Sequence, residues 1–252
     1  MSKRWYQENR RDPWRRQAKS KGYRARSAYK LKQIQERFEI IRKGDYVLDI
    51  GCHPGGWTQV AVEEVGDDGY VIGVDLLSTS PVEGATIIIG DITNPKTINQ
   101  INEEIEGYLF NCVISDISPR LTGRYDTDQA ISLELSTMVL DASMTLLSPG
   151  GSFVTKIFQG VGIEGLIEAA KMRFSSVQRY APTASRSSSS ETYLVCRNKL
   201  PKVRKDAVGK TAYEHLKEHL KKLDIVVEND EEKTTTATKI GFRKYKVGDG
   251  RN

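Results

Sequence analysis

The stretch LDIGCHPGGW, residues 48–57, decides the fold. An apolar run, YVLDI (46–50), closes on a turn with three glycines, and WTQVAVEEV (57–65) then carries apolar residues at helical spacing. Strand, tight turn and helix in that order begin a βαβ unit. The glycine pattern is G-x-x-P-G-G where a dinucleotide fold needs G-x-G-x-x-G, so the usual pyrophosphate cradle is not indicated. Without side chains at Gly51, Gly55 and Gly56, a ligand can still lie against the backbone and face the N–H groups of the helix start. Asp49, near the strand end, repels phosphate and suits a ligand that carries positive charge.

The alternation continues outward from this unit. YVIGVD (70–75), ATIIIGD (85–91), NCVISD (111–116) and SFVTKIF (152–158) read as short apolar strands. Helical spacing fills the intervals near 95–106, 127–147 and 163–173, and SVQRYA (176–181) with ETYLVCR (191–197) predicts a closing hairpin. The pattern predicts an α/β fold with a mainly parallel, doubly wound, seven-stranded sheet and an antiparallel final pair. Upstream, SAYKLKQIQERF (27–38) places Ala28, Leu31, Ile34 and Phe38 on one helical face, with Ser27 as N-cap. The body is expected over residues 44–199, preceded by a basic arm and helix (1–43) and followed by a basic appendage (200–252). Within the appendage, KTAYEHLKEHLKKL (210–223) predicts an amphipathic helix on Tyr213, Leu216, Leu220 and Leu223, and residues 225–245 a small hairpin with an acidic turn.

In doubly wound folds ligands bind outside the carboxyl ends of the strands, and this rule sorts the polar residues. Asp75 ends the second strand, where a carboxylate can accept from both hydroxyls of a ribose. Asp91 ends the third, where it can meet an adenine amino group. Acid, glycine turn, acid and acid on successive strands fit S-adenosylmethionine, a nucleoside with a sulfonium and no phosphate. Trp57 suits a wall of that pocket as well as it suits the core. Asp116 ends the fourth strand, and Lys156 lies inside FVTKIF (153–158) on the fifth. A buried ammonium group there is costly unless it is paired. Asp116 and Glu191, which opens the last strand, can pair it. Lys30 falls in the first turn of its helix, where the helix dipole disfavours a cation.

The net charge of +5 over 252 residues divides sharply. Residues 1–43 hold 15 Lys/Arg against 4 Asp/Glu, residues 44–198 hold 9 against 20, and residues 199–252 hold 14 against 9. A basic arm ahead of an acidic body is the footprint of a polyanion partner. Trp5, Tyr6, Trp14, Tyr23 and Tyr29, interleaved with the basic residues, suit base stacking. No apolar run approaches the ~18 residues of a membrane span, and MSKRWYQENRRDPWRR has no signal-peptide core. Cys52, Cys112 and Cys196 lack C-x-x-C spacing, which argues against a disulfide framework or a zinc site. His215 and His219 sit four apart without a third ligand and read as a solvated helix face. A cytoplasmic, monomeric protein with no metal is the expectation.

RARSAYKL (24–31), LDIGCHPGGWTQV (48–60), VDLL (74–77), GDIT (90–93), SDISPRLTG (115–123), SPGGSFVTKIFQG (148–160) and SRSSSSETYLV (185–195) together resemble the FtsJ-type ribosomal RNA 2′-O-methyltransferases. The resemblance covers roughly residues 20–198. It implies a Rossmann-like S-adenosylmethionine-dependent methyltransferase fold, with residues 44–199 as the catalytic domain. It places the family's Lys-Asp-Lys-Glu tetrad on Lys30, Asp116, Lys156 and Glu191, with Lys156 as proton acceptor. Its cofactor positions fall on Gly55, Trp57, Asp75, Asp91 and Asp116, beside Asp49 and Gly51 from the reading of the turn. The implied reaction is ribose 2′-O-methylation at a uridine of 23S large-subunit rRNA, with that rRNA or the ribosomal subunit as partner. The residues themselves leave open whether Lys156 is a true base or a cation that orients the hydroxyl. They also leave open a tRNA ribose methyltransferase, a non-catalytic RNA-binding ribosome assembly factor, and a nicotinamide-dependent dehydrogenase. His53 stands where the family has a small residue, and the segment after Leu200 does not resemble the OB-like extension of some relatives.

Overall fold

In a computed structural model, which describes residues 12–119, 121–185, 190–226 and 246–247, the strands are apolar on both sides because helices cover both. The sheet contains β1 (Tyr46–Ile50), β2 (Tyr70–Asp75), β3 (Ala85–Ile89), β4 (Phe110–Ser115), β5 (Leu147–Phe158), β6 (Phe174–Tyr180) and β7 (Glu191–Lys199). Their spatial order is β3-β2-β1-β4-β5-β7-β6. β7 runs antiparallel to both β5 and β6, and the other pairs are parallel. The expected hairpin therefore folds back and inserts its second strand between β5 and β6. The pairing of β5 with β4 jumps from Leu147 to Ser152, so the SPGG turn (148–151) bulges out before the regular run that carries Lys156.

Alternate strand residues face opposite layers. On one side Val47, Val71, Ile114, Val154 and Val195 pack against α2 (Ala28–Phe38) and α3 (Gly56–Val65). On the other, Leu48, Ile72, Val113, Phe153 and Leu194 pack against α4 (Pro95–Glu104), α5 (Tyr125–Leu146) and α6 (Ile163–Lys171). Chain order reverses between β1 and β4, and the crevice at their carboxyl ends is the topological switch point where such sheets bind ligands.

Both flanks are fastened to this body. The short helix α1 (Pro13–Ser20) begins at Asp12, whose carboxylate accepts from the N–H groups of Trp14 and Arg15 at 3.0 and 3.2 Å. Arg26 pairs with the same carboxylate and donates to the Ala184 carbonyl at 3.1 Å. Downstream, α7 (Ala212–Lys222) is closed at its start by a capping box between Thr211 and Glu214. Asp141 of α5 accepts from the next two N–H groups, of Ala212 and Tyr213, at 2.6 and 3.0 Å. The buried Arg173 donates to the Lys210 carbonyl at 2.7 Å. Ala212, Leu216 and Leu220 belong to the same apolar cluster as α5 and α6. Leu223, expected on that face, is exposed instead, and Tyr213 is only half-buried. The helix ends at Lys222, one residue short of bringing Leu223 inward. A two-residue pair follows, β8 (Ile225–Val226) with β9 (Lys246–Val247); the rest of the expected hairpin, with its acidic turn, lies outside the described residues.

Candidate active site

Strand alternation brings the chemistry to one side. Asp49, Asp116, Lys156 and Tyr193 fall in the phase of Val47, Ile114, Val154 and Val195, toward α2 and α3, and at the carboxyl ends of β1, β4 and β5. Asp116 is the first residue after β4. Lys156 Nζ donates to its carbonyl oxygen at 2.7 Å and to Oδ1 at 3.2 Å. Lys156 sits opposite Tyr193 in the β5–β7 register, and the Tyr193 hydroxyl donates to the same Oδ1 at 2.7 Å. Lys30 of α2 reaches Glu191 Oε2 at 2.8 Å and lies 5.8 Å from the centre of the Tyr193 ring. The lysine side chains are 6 and 4 % exposed (Lys30, Lys156), and the acids Glu191 and Asp116 are 22 and 18 % exposed.

The structure thus brings together all four residues of the expected tetrad. It also removes the anomaly at Lys30, whose charge faces a carboxylate from another element. Burial works to raise the carboxyl of Asp116, but Lys156 and then Lys30 hold it below the ordinary carboxylate range. Burial likewise opposes ionisation of Glu191, and Lys30 followed by Lys156 outweighs it. Tyr193 is driven the other way, well above the usual phenol value, by burial and by Asp116 and Glu191. It stays a protonated donor. Sequence reasoning missed Tyr193, although its signal was present: two residues after Glu191, it points to the same side of β7.

The glycine turn forms the neighbouring wall. Gly51 (φ 78°) and Gly55 (φ 107°) occupy conformations that L side chains rarely adopt, and a Cβ at Gly55 would stand 2.9 Å from Arg24 Nη1. Arg24 clasps this turn to the loop after β2, donating to the carbonyls of Pro54, Ser80 and Pro81. Asp49 is fully buried; Oδ2 accepts from Thr58 Oγ1 at 2.7 Å, and Oδ1 has no hydrogen-bond partner. Burial lifts its carboxyl to about 7, the Thr58 hydroxyl working against this and the charges of Asp116 and Asp75 adding to it. Asp75 accepts one backbone N–H on each oxygen, from His53 at 2.9 Å and Leu77 at 2.8 Å, which leaves a lone pair on each for a further donor. Asp91 is exposed beyond β3 and accepts from Thr93 N and Oγ1 at 2.8 Å each. The His53 ring lies 3.2 Å from Thr79 Oγ1, so it is tethered to the loop after β2.

Trp57 differs from a pocket wall. Its indole is buried against Tyr193, with ring centroids 5.5 Å apart, and Nε1 donates to the Ser27 carbonyl at 2.8 Å. Its backbone N–H lies in the first turn of the helix, where N–H groups have no intrahelical acceptor. The arm's aromatics are engaged in a similar way. Trp14 and Tyr23 pack on Tyr29, at 5.1 and 5.7 Å between centroids, and Tyr23 donates to Glu63. These three rings hold the arm to the body, Tyr29 buried and Trp14 and Tyr23 half-buried; Trp5 and Tyr6 lie outside the described residues. No helix among the described residues is long and apolar enough to cross a membrane.

Comparison with known proteins agrees with this fold. The sequence model of the FtsJ-like methyltransferases matches residues 23–199. A ribosomal RNA large subunit methyltransferase E of Methanothrix thermoacetophila is 50% identical over 184 residues, 73% of this chain and 71% of that protein. The protein of the same name from an Azoarcus species is 41% identical over 194 residues, 77% of this chain and 95% of its own. The crystal structure of a Plasmodium falciparum protein described as a ribosomal RNA methyltransferase superposes with a TM-score of 0.63 at 28% identity, covering 71% of this chain and 100% of that one.

Proposed function

The chain belongs to the FtsJ-like methyltransferase family and is an rRNA methyltransferase, and on that premise we propose that it methylates the ribose 2′-hydroxyl of a uridine in large-subunit rRNA, using S-adenosylmethionine and acting as a cytoplasmic monomer. One observation carries the reading: two buried lysines paired with partly exposed carboxylates, Lys156–Asp116 and Lys30–Glu191, meet at the carboxyl ends of β4 and β5, next to the switch point of the sheet.

The donor set fits the cofactor. Asp49 Oδ1, buried without a partner, suits its cationic end, the remaining lone pairs of Asp75 suit its ribose hydroxyls, and Asp91 suits its adenine amino group. Gly51 and Gly55 supply the left-handed conformations of the turn, packed against Ile117 and against Arg24 and Val82, and the N–H groups of Gly56 and Trp57 open the helix that follows. When bound, S-adenosylmethionine supplies an electrophilic methyl group whose departing sulfur ends neutral, so no protein acid is needed for the leaving group.

What remains for the protein is the nucleophile, a weakly acidic hydroxyl that must lose its proton. Lys156 Nζ takes that proton, and Asp116, bonded to Nζ through both its carbonyl and its carboxylate, stabilises the charge that results. Tyr193 fixes the carboxylate, and Lys30, held by Glu191, offsets negative charge on the reacting oxygen. Positioned proton transfer contributes on the order of 10²–10⁴ in rate, and alignment of the reacting groups supplies much of the remainder.

The test is transfer of a labelled methyl group from S-adenosylmethionine to an unmethylated large-subunit rRNA transcript, followed by digestion to nucleosides. Label in 2′-O-methyluridine is expected. Label in a methylated base, or incorporation into tRNA but not rRNA, overturns the reading.

A further inference from the structure

We propose that Tyr125 is a stacking platform for an RNA base beside the target ribose, an inference that rests on the function proposed above. Tyr125 opens α5 at the end of the loop that begins with Asp116. It is 52 % exposed, a large apolar ring left open to water. Its hydroxyl donates to the Gln159 carbonyl, just past the end of β5. Gln159 donates its own N–H to the Ser190 carbonyl at 3.1 Å, and Ser190 precedes Glu191 of the quartet. The phenol is therefore anchored one residue pair beyond the site, at its open rim.

The surroundings hold that ring in place. Gln129 Nε2 donates to the Val161 carbonyl at 3.1 Å, tying α5 to the loop after β5. Asp128 accepts from Thr122 N at 2.8 Å and Gly123 N at 3.1 Å, closing the loop that leads into α5. Leu121 and Val161, on the two loops, are 63 and 60 % exposed, and Arg124, which precedes Tyr125 in the chain, is exposed too. Three apolar side chains are too few for a protein interface, which buries roughly 800 Å² per partner. They match one or two bases. A flat ring with its hydroxyl edge anchored at the rim of the site where a ribose must be presented is the arrangement that stacks a nucleobase with little loss of freedom.

Binding of the unmethylated large-subunit rRNA transcript to the full-length protein, over a salt series, tests this against Tyr125→Ala, Tyr125→Leu and Tyr125→Phe. Loss of stacking in the alanine and leucine variants should weaken RNA binding about ten- to a hundredfold. Phenylalanine keeps the ring and should stay within about threefold. The steepness of binding against salt should not change, because stacking releases no counterions, and S-adenosylmethionine affinity by calorimetry should be unaltered. Unchanged RNA binding in the alanine variant overturns the inference. So does equal weakening by alanine and phenylalanine, which would assign the effect to the Gln159 hydrogen bond, or unweakened RNA binding by the leucine variant, which would assign it to apolar contact alone. Wild-type protein that neither binds nor methylates the transcript overturns the proposed function as well, so the two failures are told apart by the wild-type lane.

Discussion

Lys156 and Tyr193, opposite each other on antiparallel strands, converge on one carboxylate oxygen, Asp116 Oδ1, at 3.2 and 2.7 Å. The lysine alone could swing its ammonium group about Asp116. With Tyr193 on the same oxygen, the carboxylate plane is fixed, and with it the direction in which Nζ faces the crevice.

Tyr193→Phe should therefore slow methyl transfer about tenfold while leaving the fold intact, since the buried ring and its stacking on Trp57 survive. A hydrogen bond to a charged group contributes ~1.5–3 kcal/mol, and part of that should appear in the rate. Single-turnover kinetics at saturating RNA measures it. An unchanged rate would mean Asp116 is oriented by Lys156 alone.

Lys156→Ala removes the proposed proton acceptor and should reduce transfer by at least ~10²-fold, with S-adenosylmethionine binding within a few-fold of wild type. Near-normal single-turnover rates would sink the assignment.

Asp75→Ala should weaken S-adenosylmethionine binding by ~1.5–3 kcal/mol, roughly ten- to a hundredfold. Both its oxygens are already oriented by the N–H groups of His53 and Leu77, so no reorganisation is needed to accept a ribose. Calorimetry with unchanged affinity would place the ribose elsewhere.

The layered α/β architecture was legible in the sequence, and with it the end of the sheet where the polar strand residues gather; the grouping of Lys30, Asp116, Lys156 and Glu191 came from the family resemblance. Period-two alternation assigns each strand residue to a face, and the carboxyl ends of parallel strands gather in one crevice, so Asp49, Asp75, Asp116 and Lys156 could be placed from the chain alone. What escaped were contacts between elements distant in sequence. Trp57 looked equally suited to pocket and core, because nothing local shows that its N–H meets Ser27, thirty residues upstream. The arm's aromatics suggested bases, yet Trp14, Tyr23 and Tyr29 found one another. Residues 210–222 read as an appendage because their amphipathic face does not name its partner; Asp141 and Arg173, which fasten them, lie on α5 and just after α6. Leu223 was misplaced by a helix end one residue earlier than its periodicity implied.

Asp49 gives a pH signature. Its folded carboxyl titrates at about 7, above the unfolded value of about 3.9, so the folded state holds a proton that the unfolded state releases. Stability is full below the unfolded value and is lost as pH rises toward 7, by an amount of order 4 kcal/mol at most. Asp49→Asn keeps the shape and cannot ionise. Its thermal midpoint should match wild type near pH 4 and exceed it at pH 8, while its affinity for S-adenosylmethionine falls. Parallel midpoints across that range would show that Asp49 does not titrate there.

The basic arm should hold RNA and contribute little to the chemical step. The body behind it is acidic, with 20 Asp/Glu against 9 Lys/Arg over residues 44–198, and would repel RNA without a cationic partner. The structure decides where a deletion must stop. Arg24 clasps the glycine turn, Arg26 and Asp12 join α1 to the body, and Lys30 faces Glu191. Removing residues 1–11 spares all of these and takes away Lys3, Arg4, Arg10 and Arg11. Every cation that no longer meets a phosphate lowers the steepness of log K against log salt by ~0.7–0.9. If three of the four bind phosphate, the slope should flatten by about 2–3 units, with S-adenosylmethionine affinity and the single-turnover rate at saturating RNA unaffected. Coincident slopes for full-length and truncated protein would move the RNA-holding role to the basic segment after Lys199.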